Sequence, residues 1–264
     1  MNDAHKRTIA LESAPNLRDL GGLASEVGEV KRGVLFRSAT LSALTDADRG
    51  RFATLGIRTV YDLRTAAEAA TSPDRLPAGT VAIPLDVLAD SSESIAANVG
   101  QLTTAPQAFV ASLGDGRAER LFEDTYRDFV RMPSALGAYR AFYLNLLDEA
   151  RQGAALFHCT TGKDRTGWAA ASLLTLLGVG ETEVYEDYLQ TNIDLLPALE
   201  PVLQQAESHG VGRAALMPVL GVRESYLAAS FEQMREQFGS IHGYAMEGLG
   251  LGSADLRRLR VLFT

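Results

Sequence analysis

One stretch of the 264-residue chain concentrates groups able to do chemistry: His158-Cys159-Thr160-Thr161-Gly162-Lys163-Asp164-Arg165-Thr166-Gly167. It lies between an apolar run that reads as a strand and another that reads as a helix. A strand-to-helix turn of this length can curl so that successive backbone N–H groups point inward, making an anion nest at the positive end of the helix. A free cysteine thiol has a pKa of about 8.5 and is mostly protonated at neutral pH. A thiolate inside such a nest gains from the helix N-terminus and nearby cations, so Cys159 is the expected nucleophile toward a bound phosphate.

The neighbours fit that chemistry. Thr160, Thr161, Gly162, Lys163, Asp164 and Arg165 are the expected phosphate-binding set. Arg165, on the first turn of the helix, can return its planar fork to the equatorial oxygens, a task for which lysine is a poor substitute. Gly162 lets the backbone turn without a Cβ clash. Thr166 can set a hydroxyl near the sulfur and steady it as a leaving group, and His158 is expected to bond backbone groups and hold the loop. A general acid must protonate the leaving oxygen. Asp164 lies in the loop, and Asp62, after a predicted strand, could also reach the site or instead orient Arg165 or a loop backbone. Lys163 either adds a second positive charge for the ligand or faces solvent.

The run resembles the cysteine phosphatase signature His-Cys-x5-Arg-Thr, in the version carried by the atypical bacterial protein tyrosine phosphatases. Further similarity lies in Asn16-Leu17-Arg18-Asp19-Leu20-Gly21-Gly22, in Leu35-Phe36-Arg37-Ser38, in Asp62-Leu63-Arg64 with Glu68 beyond it, and around Phe238-Gly239-Ser240 and Tyr244. The resemblance implies an α/β cysteine-phosphatase fold with a short, mostly parallel central sheet flanked by helices, and a helical lid in some members. It implies phosphotyrosine hydrolysis, often with phosphoserine, phosphothreonine and phosphoinositide activity, and no metal or organic cofactor. It favours Asp164 as the acid. Lys163 resembles the extra lysine of phosphatases that accept inositol lipid headgroups. Asn16 to Gly22, polar, compact and Gly-terminated, reads either as a structural turn near the sheet or as a place from which Asn16, Arg18 and Asp19, together with Arg64, brace the phosphate loop from behind.

Several elements must position these groups. Val34–Arg37, Ile57–Leu63, Val81–Leu85 and Ala154–His158 read as strands, with Pro84 suited to a sheet edge. Thr45, with Asp48 three residues on, reads as the start of a helix running to about Leu55 and closed by Gly56. Ser134 reads as the cap of a helix from about Ala135 to Arg151, and Thr166–Leu177 as a helix stopped by Gly178. Everything after Glu181 reads as helices. Strands alternating with helices predict an α/β layer architecture in a single domain, residues 1–264. Between Asp86 and about Phe129 the pattern loosens, with helical periodicity only at Ala108–Leu113 and Arg120–Val130. This stretch reads as an insertion, either a surface excursion or a lid.

The whole chain narrows the function classes. A hydrophobic content of 46% and a charged content of 22% are those of an ordinary globular protein. A net charge of −8 argues against nucleic acid or an anionic membrane as general partner, so attraction for an anionic substrate must be local. Cys159 is the only cysteine, which excludes an intrachain disulfide and fits a reducing compartment. No stretch reads as a signal peptide or a membrane span. The cytoplasm is the default location, and signal-less export would leave no mark. His5, His158, His209 and His242 show no metal-ligand spacing, which argues against a metal-dependent hydrolase. Sulfur transfer through a persulfide, and phosphate recognition without turnover, are the remaining alternatives. Arg165-Thr166-Gly167 argues against the first and the nucleophile itself against the second. Expected partners are a phosphorylated protein or an inositol phospholipid, and nothing in the sequence sets an oligomeric state.

Overall fold

The computed structural model describes residues 7–91, 114 and 116–264. Its centre is a five-stranded sheet made of β1 (Arg18–Asp19), β4 (Leu35–Ser38), β5 (Ile57–Asp62), β6 (Val81–Pro84) and β7 (Ala154–His158). A small ribbon of β2 (Ala24–Ser25) and β3 (Gly28–Glu29) stands apart. The sheet order is β1-β4-β7-β5-β6; only the β1–β4 pair is antiparallel. This is the α/β layering that the alternating pattern predicts, with the short, mostly parallel sheet that the resemblance implies. Pro84, which has no N–H to give, ends the edge strand β6.

Parallel pairing places the strand ends together. His158 is in register with both Ser38 and Asp62, so the segments following β4, β5 and β7 open on one rim of the sheet. Ligands of open α/β sheets bind at such a carboxyl rim. The Arg165–Leu176 helix leaves from there and buries eleven of its twelve residues, consistent with its nearly continuous apolar run. One core cluster covers that helix and one sheet face; a smaller one, containing Phe36, Phe52, Val60 and Leu156, fills the other face.

Two boundaries differ from expectation. The helix expected at Ala135–Arg151 spans Pro133–Leu146: Met132 is its N-cap, Pro133 takes the first position, and the Ser134 hydroxyl instead donates to Val87 O at 3.0 Å. Beyond Leu146 the chain turns, with Asp148 accepting from the Ala150 amide. The stretch read as an insertion lies partly outside the described residues, including the Ala108–Leu113 patch. Its C-terminal part is the helix Arg117–Arg131, which buries Ala118, Phe122, Tyr126, Phe129 and Val130 and packs against the helix Glu224–Phe238.

Candidate active site

Five consecutive carbonyls of the His158–Gly162 turn are tied from outside. His158 O accepts from Leu63 N (2.8 Å), Cys159 O from His158 Nδ1 (3.0 Å) and Thr160 O from Thr40 N (3.1 Å). Thr161 O accepts from Asn16 Nδ2 (3.2 Å), and Gly162 O from both Asn16 Nδ2 (2.9 Å) and Arg37 (2.8 Å). In a trans peptide the next N–H points opposite to the carbonyl, so fixing these oxygens outward turns the following amides inward. The result is a bowl closed by the first turn of the helix, with buried Cys159 at the strand end. Gly162 has φ of 67°, and a Cβ there would sit 2.1 Å from Ser38 O, so no other residue fits.

The outer brace begins at Asn16, which holds a left-handed φ of 61° that asparagine tolerates better than most residues. Arg18 bonds the Asn16 side chain, and Arg18, Arg7 and Arg37 all converge on Asp187, at 3.1, 2.8 and 2.8 Å. All four charged side chains are buried. Burial alone would raise the Asp187 carboxyl, but the three guanidinium groups outweigh it and hold the pKa far below the usual range. Asp19 follows the structural-turn reading and does not brace the loop. It accepts from the amides of Gly21 (2.8 Å) and Gly33 (2.7 Å), so its task is to shape the turns beside β1.

Arg165 is gripped by Glu68 through two parallel bonds, of 2.6 and 2.9 Å, and Thr160 donates its hydroxyl to the same carboxylate at 2.6 Å. Glu68 also accepts from the Thr65 amide, completing a capping box for the helix Ala66–Thr71. Burial works against both charges, yet their mutual bonding wins: Arg165 is raised above its ordinary value, and Glu68 is lowered from 4.5 to about 2. A carboxylate whose pKa is lower in the folded chain stabilises the fold above its unfolded value, and the stabilisation is lost as pH falls through the folded one. We expect the melting temperature to drop between about pH 4.5 and 2 more shallowly in Glu68→Gln than in the parent. Parallel melting curves at several pH values would check this, and equal slopes would refute it.

Asp62 meets one of its expected tasks: it accepts from the backbone amide of Arg64, in the segment after β5, at 3.0 Å, but the guanidinium it orients is not that of Arg165. Arg64 takes it in two bonds, of 2.8 and 2.7 Å, and also bonds Thr40 Oγ1 and Ser72 O. His158 Nε2 lies 2.9 Å from Asp74 and 3.9 Å from Asp62, while Arg64 is 3.1 Å from Asp74. Asp62, Asp74 and His158 could by spacing hold a cation. The Arg64 guanidinium already supplies that positive charge, and the cluster acts as a buttress beneath the loop.

Asp164 is the residue before the helix, a place where aspartate normally caps, yet its side chain makes no capping bond. Instead Oδ1 accepts from Tyr126 at 3.0 Å, and Oδ2 lies 3.7 Å from Lys163 Nζ. Lys163 departs from both readings of it. Its ammonium is buried, bonds the carbonyls of Val219 and Gly221, and lies 4.5 Å over the Phe122 ring, so it neither lines the bowl nor faces solvent. Thr166 Oγ1 is buried without a hydrogen-bond partner among the described residues.

The model of the tyrosine phosphatase family matches residues 9–264, nearly the whole chain. The chain belongs to that family. A Cupriavidus necator protein with the provisional name of tyrosine-protein phosphatase is 32% identical over 96% of this chain and 88% of its own length. The triple specificity protein phosphatase PtpB of Mycobacterium tuberculosis is 32% identical over 95% of this chain and 96% of its own. A tyrosine-protein phosphatase of Nostoc commune is 30% identical over 85% of this chain and 72% of its own.

Within this member of the tyrosine phosphatase family, the loop residues, Asn16, Arg18 and Arg64 gather at one rim, while Asp62 and Lys163 serve supporting bonds and Asp19 stands apart. Sequence reasoning assigned no role to Glu68, Asp74, Asp187, Tyr126 or Tyr188. One of these left a visible mark: Asp187 shares the buried stripe of Val184, Tyr188, Thr191 and Leu195, and a carboxylate on such a stripe demands buried cations. No helix among the described residues is long and apolar enough to cross a membrane.

Proposed function

We propose that this phosphatase hydrolyses phosphate monoesters, phosphotyrosine in proteins before others, through a cysteinyl-phosphate on Cys159. The observation that carries this reading is the bowl itself: carbonyls tied outward, Cys159 at the strand end, and Arg165 pre-set by Glu68. The inward amides and Arg165 hold the three equatorial oxygens, where charge persists in the transition state. The Cys159 thiolate forms the S–P bond as the ester P–O bond breaks, and the Asp164 carboxyl gives its proton to the leaving oxygen. Water then forms a new O–P bond, yielding its proton to the Asp164 carboxylate, and the S–P bond breaks to return the thiolate. The unpartnered Thr166 hydroxyl is free to donate to that sulfur.

The names of the relatives support a protein substrate, and the triple specificity of the mycobacterial one supports a broad panel. The decisive assay is phosphate release from a phosphotyrosine peptide, a phosphoserine peptide and an inositol lipid phosphate with a chelator present. Release fastest from phosphotyrosine is the expected result; release from none of the three would overturn the reading. Inositol lipid phosphate is the second substrate class, and the position of Lys163 weighs against a special site for it. Lys163→Met should change the lipid-to-phosphotyrosine ratio by less than about twofold while costing about 1–3 kcal/mol of stability, because the Val219 and Gly221 carbonyls lose their donor. A tenfold fall in the ratio would instead place Lys163 on the substrate.

A further inference from the structure

The reading of Asp164 as proton carrier raises the question of what aims it. A carboxyl group turns easily about its last bond, since that torsion has a broad, nearly two-fold profile. A proton donor that must meet one leaving oxygen therefore needs an external hold. The structure supplies one from a helix packed against the one that follows Asp164. Tyr126, on the helix Arg117–Arg131, donates to Asp164 Oδ1 at 3.0 Å, and its hydroxyl is 2.7 Å from that of Tyr188, on the helix Glu181–Leu195.

Both rings are buried and held by specific contacts. The Tyr126 ring meets Phe129, Tyr188 and Tyr226 with centroids 5.2, 6.1 and 5.9 Å away. Its backbone carbonyl accepts from the buried Ser230 hydroxyl at 2.7 Å. Gly167 clears the space: a Cβ there would lie 3.0 Å from the Tyr188 ring and 3.8 Å from the Tyr126 hydroxyl. Asp164 forgoes the helix-capping bond its position invites, and its carboxyl is spent on this contact.

We propose that Tyr126, oriented by Tyr188, is a positioning residue that sets the Asp164 carboxyl for proton transfer to and from the leaving oxygen. This rests on the phosphatase reading given above. Burial raises both phenols well above their ordinary values, so they act as fixed O–H donors and not as acids in the reaction. Tyr126 holds one carboxyl oxygen from one side, and the Lys163 ammonium, 3.7 Å from the other oxygen, limits rotation from the second. Without the tyrosine hydroxyl the carboxyl spends less time on the productive orientation, and the loss grows with the need for protonation.

The test is the ratio of kcat for p-nitrophenyl phosphate, whose leaving group needs little protonation, to kcat for phenyl phosphate, whose leaving group needs much. Tyr126→Phe should raise that ratio about five- to tenfold with KM changed less than twofold. Tyr188→Phe, which leaves the Tyr126 hydroxyl in place but unoriented, should raise it about two- to threefold. Tyr226→Phe is the control: its hydroxyl bonds Pro218 O in the same aromatic cluster, and the ratio should stay at the parent value. An equal fall of kcat on both esters in Tyr126→Phe, or an unmoved ratio, would overturn the proposal. Should Tyr126→Phe fail to fold, the ratio in Tyr188→Phe decides. Phosphate release by the parent with no shift in ratio sinks the positioning role alone, whereas no release by the parent sinks the phosphatase reading and this proposal with it.

Discussion

Cys159→Ser is expected to lower phosphate release by on the order of a thousandfold or more while a phosphopeptide still binds. In the proposed mechanism the sulfur contributes little to ground-state affinity, because the inward amides and Arg165 hold the phosphate, and nearly everything to bond making. A serine hydroxyl in its place requires an adjacent base to take its proton. Among the described residues the imidazole at the loop, His158, is committed to Cys159 O at 3.0 Å and to Asp74 at 2.9 Å, and Glu68 is committed to Arg165. Phosphate release with and without the substitution, beside calorimetric binding of the same phosphopeptide, separates the two effects. Retention of a tenth of the parent rate would exclude attack by sulfur.

The second large effect is structural. In Asp187→Asn, Arg7, Arg18 and Arg37 would stay buried with their shared counter-charge gone. Uncompensated buried charge costs about 3–5 kcal/mol. Asp194, 3.7 Å from Arg18, recovers a part. Arg37 already shows the pressure: burial, with Arg18 adding to it, brings its pKa down to about 10 even with Asp187 present. A chain of this size loses roughly 2–4 °C of melting temperature per kcal/mol, so a drop of roughly 6 °C or more is expected by calorimetry. Activity at a temperature where the variant is still folded should fall too, because Arg37 and Asn16 hold the Gly162 carbonyl. A melting temperature within 2 °C of the parent, on the order of the effect of a surface change, would refute the argument.

The contrast between these two positions shows what the sequence made legible. Cys159 and Arg165 belong to one continuous run between a strand and a helix, and local spacing alone brings them to the same bowl. The strand Ala154–His158 and the buried helix after it could be read for the same reason, since periodicity and apolar runs are local properties. Asp187 meets its arginines across 150 to 180 residues of chain, a pairing no window can display. Glu68 was hidden differently: the sequence offers it only as a point of resemblance, and the carboxylate that completes the capping box of its own helix also grips Arg165. Tyr126 lies on an ordinary buried stripe with Phe122 and Phe129, where a hydroxyl with a task looks like any core tyrosine. Lys163 was misplaced because its acceptors, the carbonyls of Val219 and Gly221, close a helix more than fifty residues away.

The arginine hub has a further consequence, for the order in which the molecule is made. Ribosomal synthesis delivers the whole phosphate loop before Asp187 and the helix that carries it have emerged. Until then Arg18 and Arg37 have no buried counter-charge to draw them inward, and Asn16 and Gly162 lack the frame that sets them face to face. Contacts of such long sequence separation form late and slowly. On the proposed function, a nascent chain would therefore carry the complete signature motif without a working anion bowl, and would gain affinity for phosphate only once Asp187 reaches its arginines. Because a ligand stabilises only the state that binds it, free phosphate would then favour the finished fold over every shorter intermediate.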